Sequence, residues 1–101
     1  MKKIYILATV HQYESGMPTV MLDSFIDFKD AKSIAIVNAE AQKKLETVVS
    51  EWVHDEHACE LAKYYLPTLE FVNPMFLIET SSMFRDRIVK TYRAVFEQRV
   101  S

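Results

Sequence analysis

The sequence predicts an α+β fold in which a small, mostly antiparallel sheet packs on one long helix. Three observations support this fold class. Two runs with strand-like alternation flank the only glycine, Gly16. Residues 27–53 repeat their apolar side chains every three or four positions, as an amphipathic helix does. A short second helix, a third strand and a C-terminal helix complete the predicted fold.

The predicted hairpin comes from residues 3–13 and 19–26, in which successive side chains fall on opposite faces of a strand. Both faces of the first run are largely apolar, which is typical of a strand covered on both sides. Gly16 and Pro18 lie between the two runs and are a strong turn signal. We therefore expect two antiparallel strands.

The predicted long helix begins at Asp27, a good N-cap residue, with Asp30 three positions further on. Asp30 is an alternative N-cap, since sequence patterns place a helix boundary only to within a few residues. Six apolar residues spaced by three or four are expected to face the core: Ile34, Val37, Ala41, Leu45, Val48 and Trp52.

The same spacing continues through residues 58–66. One helix over residues 27–66 would be about 60 Å long, whereas a domain of this size has a radius of gyration of about 13 Å. The sequence therefore predicts a break near residues 54–57 and a short helix that folds back. A dimer built on one uninterrupted helix is the alternative.

The C-terminal part of the chain fits two structures. Residues 75–80 have the composition of a short strand. Apolar residues then recur every fourth position, which predicts a helix with Ser81 or Ser82 as its N-cap, although residues 89–96 also have good strand composition. The length of the run favours the helix. The spaced residues are Phe84, Ile88, Tyr92, Phe96 and Val100.

The composition indicates a single domain over residues 1–101 that folds without disulfides. The chain has 101 residues, a net charge of −2 and one cysteine, Cys59. A single cysteine fits a reducing, cytoplasmic setting, and no apolar run reaches the length of about eighteen residues that spans a membrane. Half of the residues are apolar, which is more than so small an interior needs and favours a homodimer or a partner-binding face.

A small metal-dependent enzyme is one hypothesis for residues 54–60. On a helix, His54, His57 and Glu60 would share a face that a transition metal could use. A hydrated helix end is the simpler interpretation. The second half of the zinc-deaminase signature and the His-Glu-x-x-His motif are both absent. With one glycine the chain has no phosphate-binding loop of the P-loop or Rossmann type. We predict no cofactor and assign no catalytic residues, so an enzymatic function is less favoured than a binding one.

Nucleic-acid binding is a second hypothesis, since basic residues interleave with aromatic ones near the C-terminus. Such a segment can contact phosphates and stack on bases. The simpler interpretation is a solvated helix whose arginines pair with the acidic residues 40–79. The basic residues are Arg85, Arg87, Lys90, Arg93 and Arg99.

The favoured hypothesis is a non-enzymatic protein–protein interaction module, expected to be a homodimer. Bulky Tyr, Met and Phe side chains exceed what one small core absorbs, and such residues are enriched at interfaces. By analogy, inhibitors and adaptors that phages and mobile elements encode to block host proteins have this size and lack of motifs. The predicted interface residues are Tyr5, Tyr13, Met21, Phe25, Tyr64 and Tyr65.

Overall fold

A computed structural model describes residues 2–14, 16–55 and 74–100 of the chain. Within these residues one helix packs on a five-stranded antiparallel sheet with the strand order β2-β1-β5-β4-β3. An α+β domain is therefore confirmed, but the predicted three-stranded sheet with three helices is wrong. The elements are β1 (Lys2–Gln12), β2 (Thr19–Phe25), α1 (Phe28–Leu45), β3 (Thr47–Asp55), β4 (Phe76–Phe84) and β5 (Arg87–Val100).

The predicted N-terminal hairpin is confirmed. β1 and β2 pair in antiparallel register from Tyr5 opposite Phe25 to His11 opposite Thr19. Gly16 lies in the connection with a φ of 105°, a left-handed conformation that other residues adopt only with strain. The alternation of residues 3–13 and the position of the glycine thus predicted this part of the sheet correctly.

The predicted C-terminal helix is wrong, since this segment is β5, which lies at the centre of the sheet between β1 and β4. Arg93 and Val95 point towards α1, and Tyr92 and Phe96 point to the other face, yet all four side chains are buried. Burial on both faces requires apolar or paired residues at consecutive positions, which an exposed amphipathic helix does not have. β-branched and aromatic residues supply them here.

A tight turn joins β4 to β5 and takes the place of the predicted helix start. Arg85 and Asp86 both have positive φ angles, 49° and 66°. Two such residues in a two-residue connection form a type I′ turn, whose usual sequence is Asn-Gly or Asp-Gly. The predicted strand at residues 75–80 is confirmed as the first part of β4.

Helix α1 begins where the sequence predicted but ends earlier. Asp27 occupies the N-cap position with extended backbone angles, and its carbonyl accepts a hydrogen bond from the Ala31 amide. The last turn closes at Glu46, whose amide donates to the Gln42 carbonyl at 2.8 Å. Residues 47–53, predicted as helix, belong to β3. The helix break predicted near residues 54–57 is wrong for residues 54 and 55, because both belong to β3. The rest of that segment and the short helix predicted at residues 58–66 lie outside the described residues.

The face of α1 predicted to be buried is exposed instead. Ile34, Val37 and Leu45 are 40%, 59% and 86% exposed. Small residues face the sheet instead, because they let a helix approach the strands closely. The buried residues of α1 are Ala31, Ala35, Ala39 and Gln42.

The core between α1 and the sheet combines these alanines with larger residues from three strands. Leu7 of β1, Phe76 and Ile78 of β4 and Val95 of β5 pack against the helix. Tyr5, Phe25 and Phe28 close the end of this layer nearest the start of α1. No helix in the described part of the chain is long and apolar enough to cross a lipid bilayer.

The alanine contact gives a direct test of the helix orientation. We expect Ala35→Leu to lower the free energy of unfolding by about 1–3 kcal/mol, because the larger side chain overpacks the layer between α1 and β5. Ala41→Leu is the matched control on the exposed flank, and a change within about 0.5 kcal/mol is expected there. Urea denaturation followed by circular dichroism measures both. Equal losses in the two variants would contradict the observed orientation.

Candidate functional site

Among the described residues, β2 is an outer strand with a paired strand on one side only. Val20, Met21 and Leu22 are 42%, 56% and 49% exposed, so apolar side chains meet solvent on both faces of this strand. Between Thr19 and Phe25 the only charged residue is Asp23, and the pairing with β1 runs without a bulge. An edge with these properties is a template for pairing with another strand.

The opposite outer strand, β3, carries the features that protect sheet edges. Its register with β4 shifts between Val48 and Ser50, which marks a β-bulge. Glu51 and Asp55 point towards α1 and are paired there with lysines. Bulges and inward-pointing charges both discourage pairing with a further strand. β2 has no bulge and only one such charge, Asp23. Of the two outer strands described, β2 is therefore the one open to a partner.

The exposed flank of α1 adjoins β2. Lys32 and Lys43 bind carboxylates of β3, so this side of the helix faces β3. Residues on the other side of the same helix consequently face β2. We define the β2 surface by its exposed apolar residues on the strand and on this flank. They are Val20, Met21, Leu22 and Ile34.

A buried polar cluster lies between the C-terminal half of α1 and the sheet, with Gln42 at its centre. Its Oε1 accepts hydrogen bonds from the Arg93 guanidinium at 2.7 Å and from the Thr80 hydroxyl at 3.2 Å. Its Nε2 donates to Glu46 at 3.0 Å and to the Thr91 Oγ1 at 3.4 Å. One side chain thus connects α1 to both β4 and β5.

Arg93 is the buried charge of this cluster, with 6% of its surface exposed. Burial lowers the pKa of its guanidinium, while the nearby carboxylates of Glu46 and Glu51 raise it. Three buried polar atoms have no hydrogen-bond partner among the described residues: Arg93 Nε, Glu51 Oε2 and Ser82 Oγ. Burying a charge is costly unless it is compensated, and here the hydrogen bond to Gln42 and the attraction of the two nearby carboxylates offset part of that cost.

Two titratable groups border the cluster. The Nδ1 atom of His11 lies 3.1 Å from the Thr91 hydroxyl, and partial burial and the charge of Arg93 lower the pKa of the imidazole, with Glu46 acting in the opposite direction. The hydrogen bond from Gln42 and the nearby Ser82 lower the pKa of the Glu46 carboxyl. The Ser82 Oγ is close to Glu46 but does not meet the geometry of a hydrogen bond.

The cluster joins secondary-structure elements and has no arrangement for bond-breaking chemistry. Gln42, Thr80 and Thr91 are 8%, 0% and 0% exposed, so a substrate cannot reach them from solvent. Apart from the bond from Gln42 to Glu46, each of their hydrogen bonds crosses from α1 to the sheet or links neighbouring strands. We therefore assign to this cluster the role of fixing α1 over the sheet.

The residues of the predicted metal site are only partly described. His54 lies on β3, half-buried on the face away from α1, while His57 and Glu60 lie outside the described residues. In the described part of the chain, no three histidine, cysteine, aspartate or glutamate side chains are grouped as a metal site requires. The metal site stays a prediction.

The basic residues predicted to bind nucleic acid are spread along one strand. Arg85 lies in the turn between β4 and β5, and Arg87 is the first residue of β5. Arg99 is near the other end of β5, about 40 Å from Arg87 at the rise of an extended strand. Lys90 is exposed between them, whereas the guanidinium of Arg93 is buried against Gln42. The structure does not bring these residues together into one patch.

The predicted interface residues divide into two groups. Tyr5 and Phe25 are half-buried and pack against the core. Tyr13 and Met21 are 44% and 56% exposed, and Met21 belongs to the β2 surface. The other two lie outside the described residues: Tyr64 and Tyr65.

Comparison with known proteins adds no relative to these observations. No family model matches the chain, and neither the curated proteins nor the solved structures contain a significant match. The function is therefore argued from the geometry alone.

Sequence reasoning missed Gln42, Thr80 and Thr91, and one signal could have indicated the first of them. Gln42 continues the spacing of Ala35 and Ala39, so a helix that faces the sheet with its alanines also buries this amide. A polar residue at the end of a small-residue stripe then requires polar partners on the strands.

Replacing the Gln42 side chain tests the role of the cluster. We expect Gln42→Met to lower the free energy of unfolding by about 3 kcal/mol, because it leaves the buried Arg93 guanidinium and Thr80 hydroxyl without their acceptor. Chemical denaturation measures the change. Gln98→Met, at an exposed position of β5, is the control and is expected to stay within about 0.5 kcal/mol of the parent. A similar small effect at Gln42 would contradict the assigned role.

The lowered pKa of His11 predicts a dependence of stability on pH. A folded-state pKa below the ordinary value of 6.5 means that the unfolded chain binds the proton more readily. Stability is therefore full above pH 6.5 and falls as the pH drops towards the folded-state pKa. The Glu46 carboxyl adds a further loss only below 4.5, because its pKa is also lowered.

The melting temperature measured between about pH 7.5 and pH 5 checks this dependence. We expect His11→Gln to flatten the decline, because the titrating imidazole is gone. His54→Gln serves as the control, since His54 lies on β3 and on the other face of the sheet. A decline that persists unchanged in His11→Gln would assign it to another group.

Proposed function

We propose that the protein is a protein-interaction module that forms a homodimer by pairing β2 with β2 of a second copy. The observation that supports this most directly is the exposure of Val20, Met21 and Leu22 on an unprotected outer strand. Pairing two such strands would satisfy their outward-facing backbone groups and remove apolar side chains from water on both faces of the sheet.

The sequence of β2 is self-complementary when a twofold axis passes through Met21. Twofold symmetry perpendicular to the sheet makes the two strands antiparallel. Val20 of one copy then lies opposite Leu22 of the other, and Thr19 lies opposite Asp23. An axis through Asp23 would instead place two carboxylates directly opposite each other, which is destabilising. The axis through Met21 is therefore the proposed register.

The proposed axis also determines where the two helices lie. A twofold axis perpendicular to the sheet keeps both helices on the same face of the combined sheet. Each helix is centred over β5, two strands from β2, so the two helix axes lie about 24 Å apart and do not contact, since packed helices are about 8–10 Å apart. The apolar contacts of this interface therefore come from Val20, Met21 and Leu22, and the dimer is expected to resist high salt.

Light scattering of the purified chain tests the proposal. We expect a dimer at low and high salt, and we expect Leu22→Lys to weaken the dimer at least tenfold, the equivalent of about 1.4 kcal/mol, because a charge replaces an apolar contact. Val49→Lys, which is 53% exposed in the parent and lies on the protected outer strand, is the matched control and should leave the mass unchanged. A monomeric parent chain, or a dimer unaffected by Leu22→Lys, would overturn the proposal.

Disulfide cross-linking tests the register. In a background in which serine replaces the single cysteine, Met21→Cys places two thiols directly opposite each other across the axis, within reach of a disulfide. Asp23→Cys places its thiol opposite Thr19 of the other copy and is expected to cross-link far more slowly. The opposite order of rates would contradict the axis through Met21 while leaving the use of β2 intact.

A further inference from the structure

Three connections between secondary-structure elements lie together at one end of the sheet. Gln12, the last residue of β1, pairs with Lys90 of β5, so the β1–β2 connection lies beside the β4–β5 turn. Thr47, the first residue of β3, pairs with Met83 of β4, which brings the α1–β3 connection to the same end. We define this part of the molecule as the loop end, and it consists of the described residues of 13–18, 44–49 and 83–90.

The loop end exposes bulky apolar side chains on all three connections. Met17 and Leu45 are 88% and 86% exposed, the highest values among the large apolar residues described. In the β4–β5 hairpin, Phe84 lies on the face of α1 and Ile88 lies on the opposite face, and both are exposed. Apolar groups concentrated in this way at a surface mark a site of interaction with a protein or a membrane.

The charges of the loop end are positive on balance, although the whole chain carries −2. Its three carboxylates are those of Glu14, Glu46 and Asp86, and the first two accept hydrogen bonds from the Ile88 amide and the Gln42 side chain. Four basic residues outnumber them and form no ion pair with a described carboxylate, so the formal charge is +1. The basic residues are Lys44, Arg85, Arg87 and Lys90.

Positive charge and apolar surface are combined most closely at the β4–β5 turn. The guanidinium of Arg85 lies 5.4 Å from the centroid of the Phe84 ring. At a membrane interface, arginine holds its charge at the level of the phosphates while apolar and aromatic groups beside it lie deeper. A protein partner covers one side of a projecting hairpin, whereas a bilayer surrounds it. Phe84 and Ile88, on opposite faces, are both removed from water only in the second case.

We propose that the loop end docks on the surface of a lipid bilayer that contains anionic lipids. Phe84, Ile88, Met17 and Leu45 enter the interface, and the basic residues of the loop end bind the headgroup phosphates. The contact is peripheral, since it uses connections between strands. β5 and β4 lie two and three strands away from β2, so the proposal does not depend on the β2 homodimer.

Sedimentation of the chain with unilamellar vesicles tests the proposal. We expect binding to vesicles of equal parts phosphatidylcholine and phosphatidylserine, and about fivefold weaker binding to phosphatidylcholine alone, because the loop end carries one net positive charge. Phe84→Ser is expected to weaken binding by at least about tenfold, since it removes a large apolar group from the interface. Trp52→Ser is the matched control, because Trp52 is a 63% exposed aromatic residue on β3 outside the loop end.

The control is expected to bind as the parent does, and both variants are expected to keep the circular dichroism spectrum of the parent. Absence of binding to the mixed vesicles would overturn the proposal and leave a protein as the partner of the loop end. Unchanged binding of Phe84→Ser, or an equal loss in Trp52→Ser, would also overturn it.

A fluorescent label tests the orientation on the membrane without changing Phe84. In a background in which serine replaces the single cysteine, Met17→Cys and Ile26→Cys each provide one attachment site for an environment-sensitive dye. The parent residues are 88% and 83% exposed and lie beyond opposite ends of β2. We expect the mixed vesicles to shift the emission to shorter wavelength for the dye at position 17 and to leave position 26 unchanged. An equal shift at both positions, or a shift at position 26 alone, would contradict docking through the loop end.

Discussion

One helix is too narrow to cover a five-stranded sheet, and this constraint accounts for most of the surface that the described residues present. An α-helix with its side chains is about 10 Å across, whereas five strands at about 4.8 Å spacing extend over about 20 Å. Helix α1 lies over β1, β5 and β4, which contribute Leu7, Val95 and Phe76 to the core beneath it. The outer strands remain uncovered on this face. β2 is left with exposed apolar side chains, and lysine–carboxylate pairs join β3 to the helix.

The alanines of α1 determine which other residue of the helix is buried against the sheet. Ala31, Ala35 and Ala39 bring the helix close to the strands, so the next residue of this face, Gln42, is pressed against β4 and β5 as well. Its amide is held there because Arg93 and Thr80 supply donors from the two strands. Such a network fixes the position of the helix along the sheet more strictly than alanine contacts do. Contacts between methyl groups depend little on direction, whereas hydrogen bonds require particular distances and angles. Arg93 also places a positive charge near the C-terminal end of α1, where the helix dipole is negative.

Spacing by four explains why the sequence predicted one end of the fold correctly and the other wrongly. Residues four apart lie on the same face of an α-helix and also on the same face of a β-strand. The apolar residues that predict a C-terminal helix, from Phe84 to Val100, lie four positions apart, and so do Val48 and Trp52. Neither pattern therefore separates a helix from a strand. Residues 28–45 contain steps of three, which only a helix satisfies, and residues 3–13 alternate over too many positions to be helical. The turn at Arg85 and Asp86 lacks the Asn-Gly signal that would have indicated the hairpin between β4 and β5.

The same ambiguity decided how much of the site was predictable. The sequence predicts Met21 in an interface because it is a bulky residue on a predicted strand, and that strand is an outer strand of the sheet with Met21 exposed. A helix would place Arg93 on its solvent face, whereas on a central strand the same residue is buried and hydrogen-bonded to Gln42. A buried charge and an uncovered edge are both consequences of strand order. Strand order depends on contacts between residues far apart in the chain, such as those of β1 with β5, and local spacing carries no information about them.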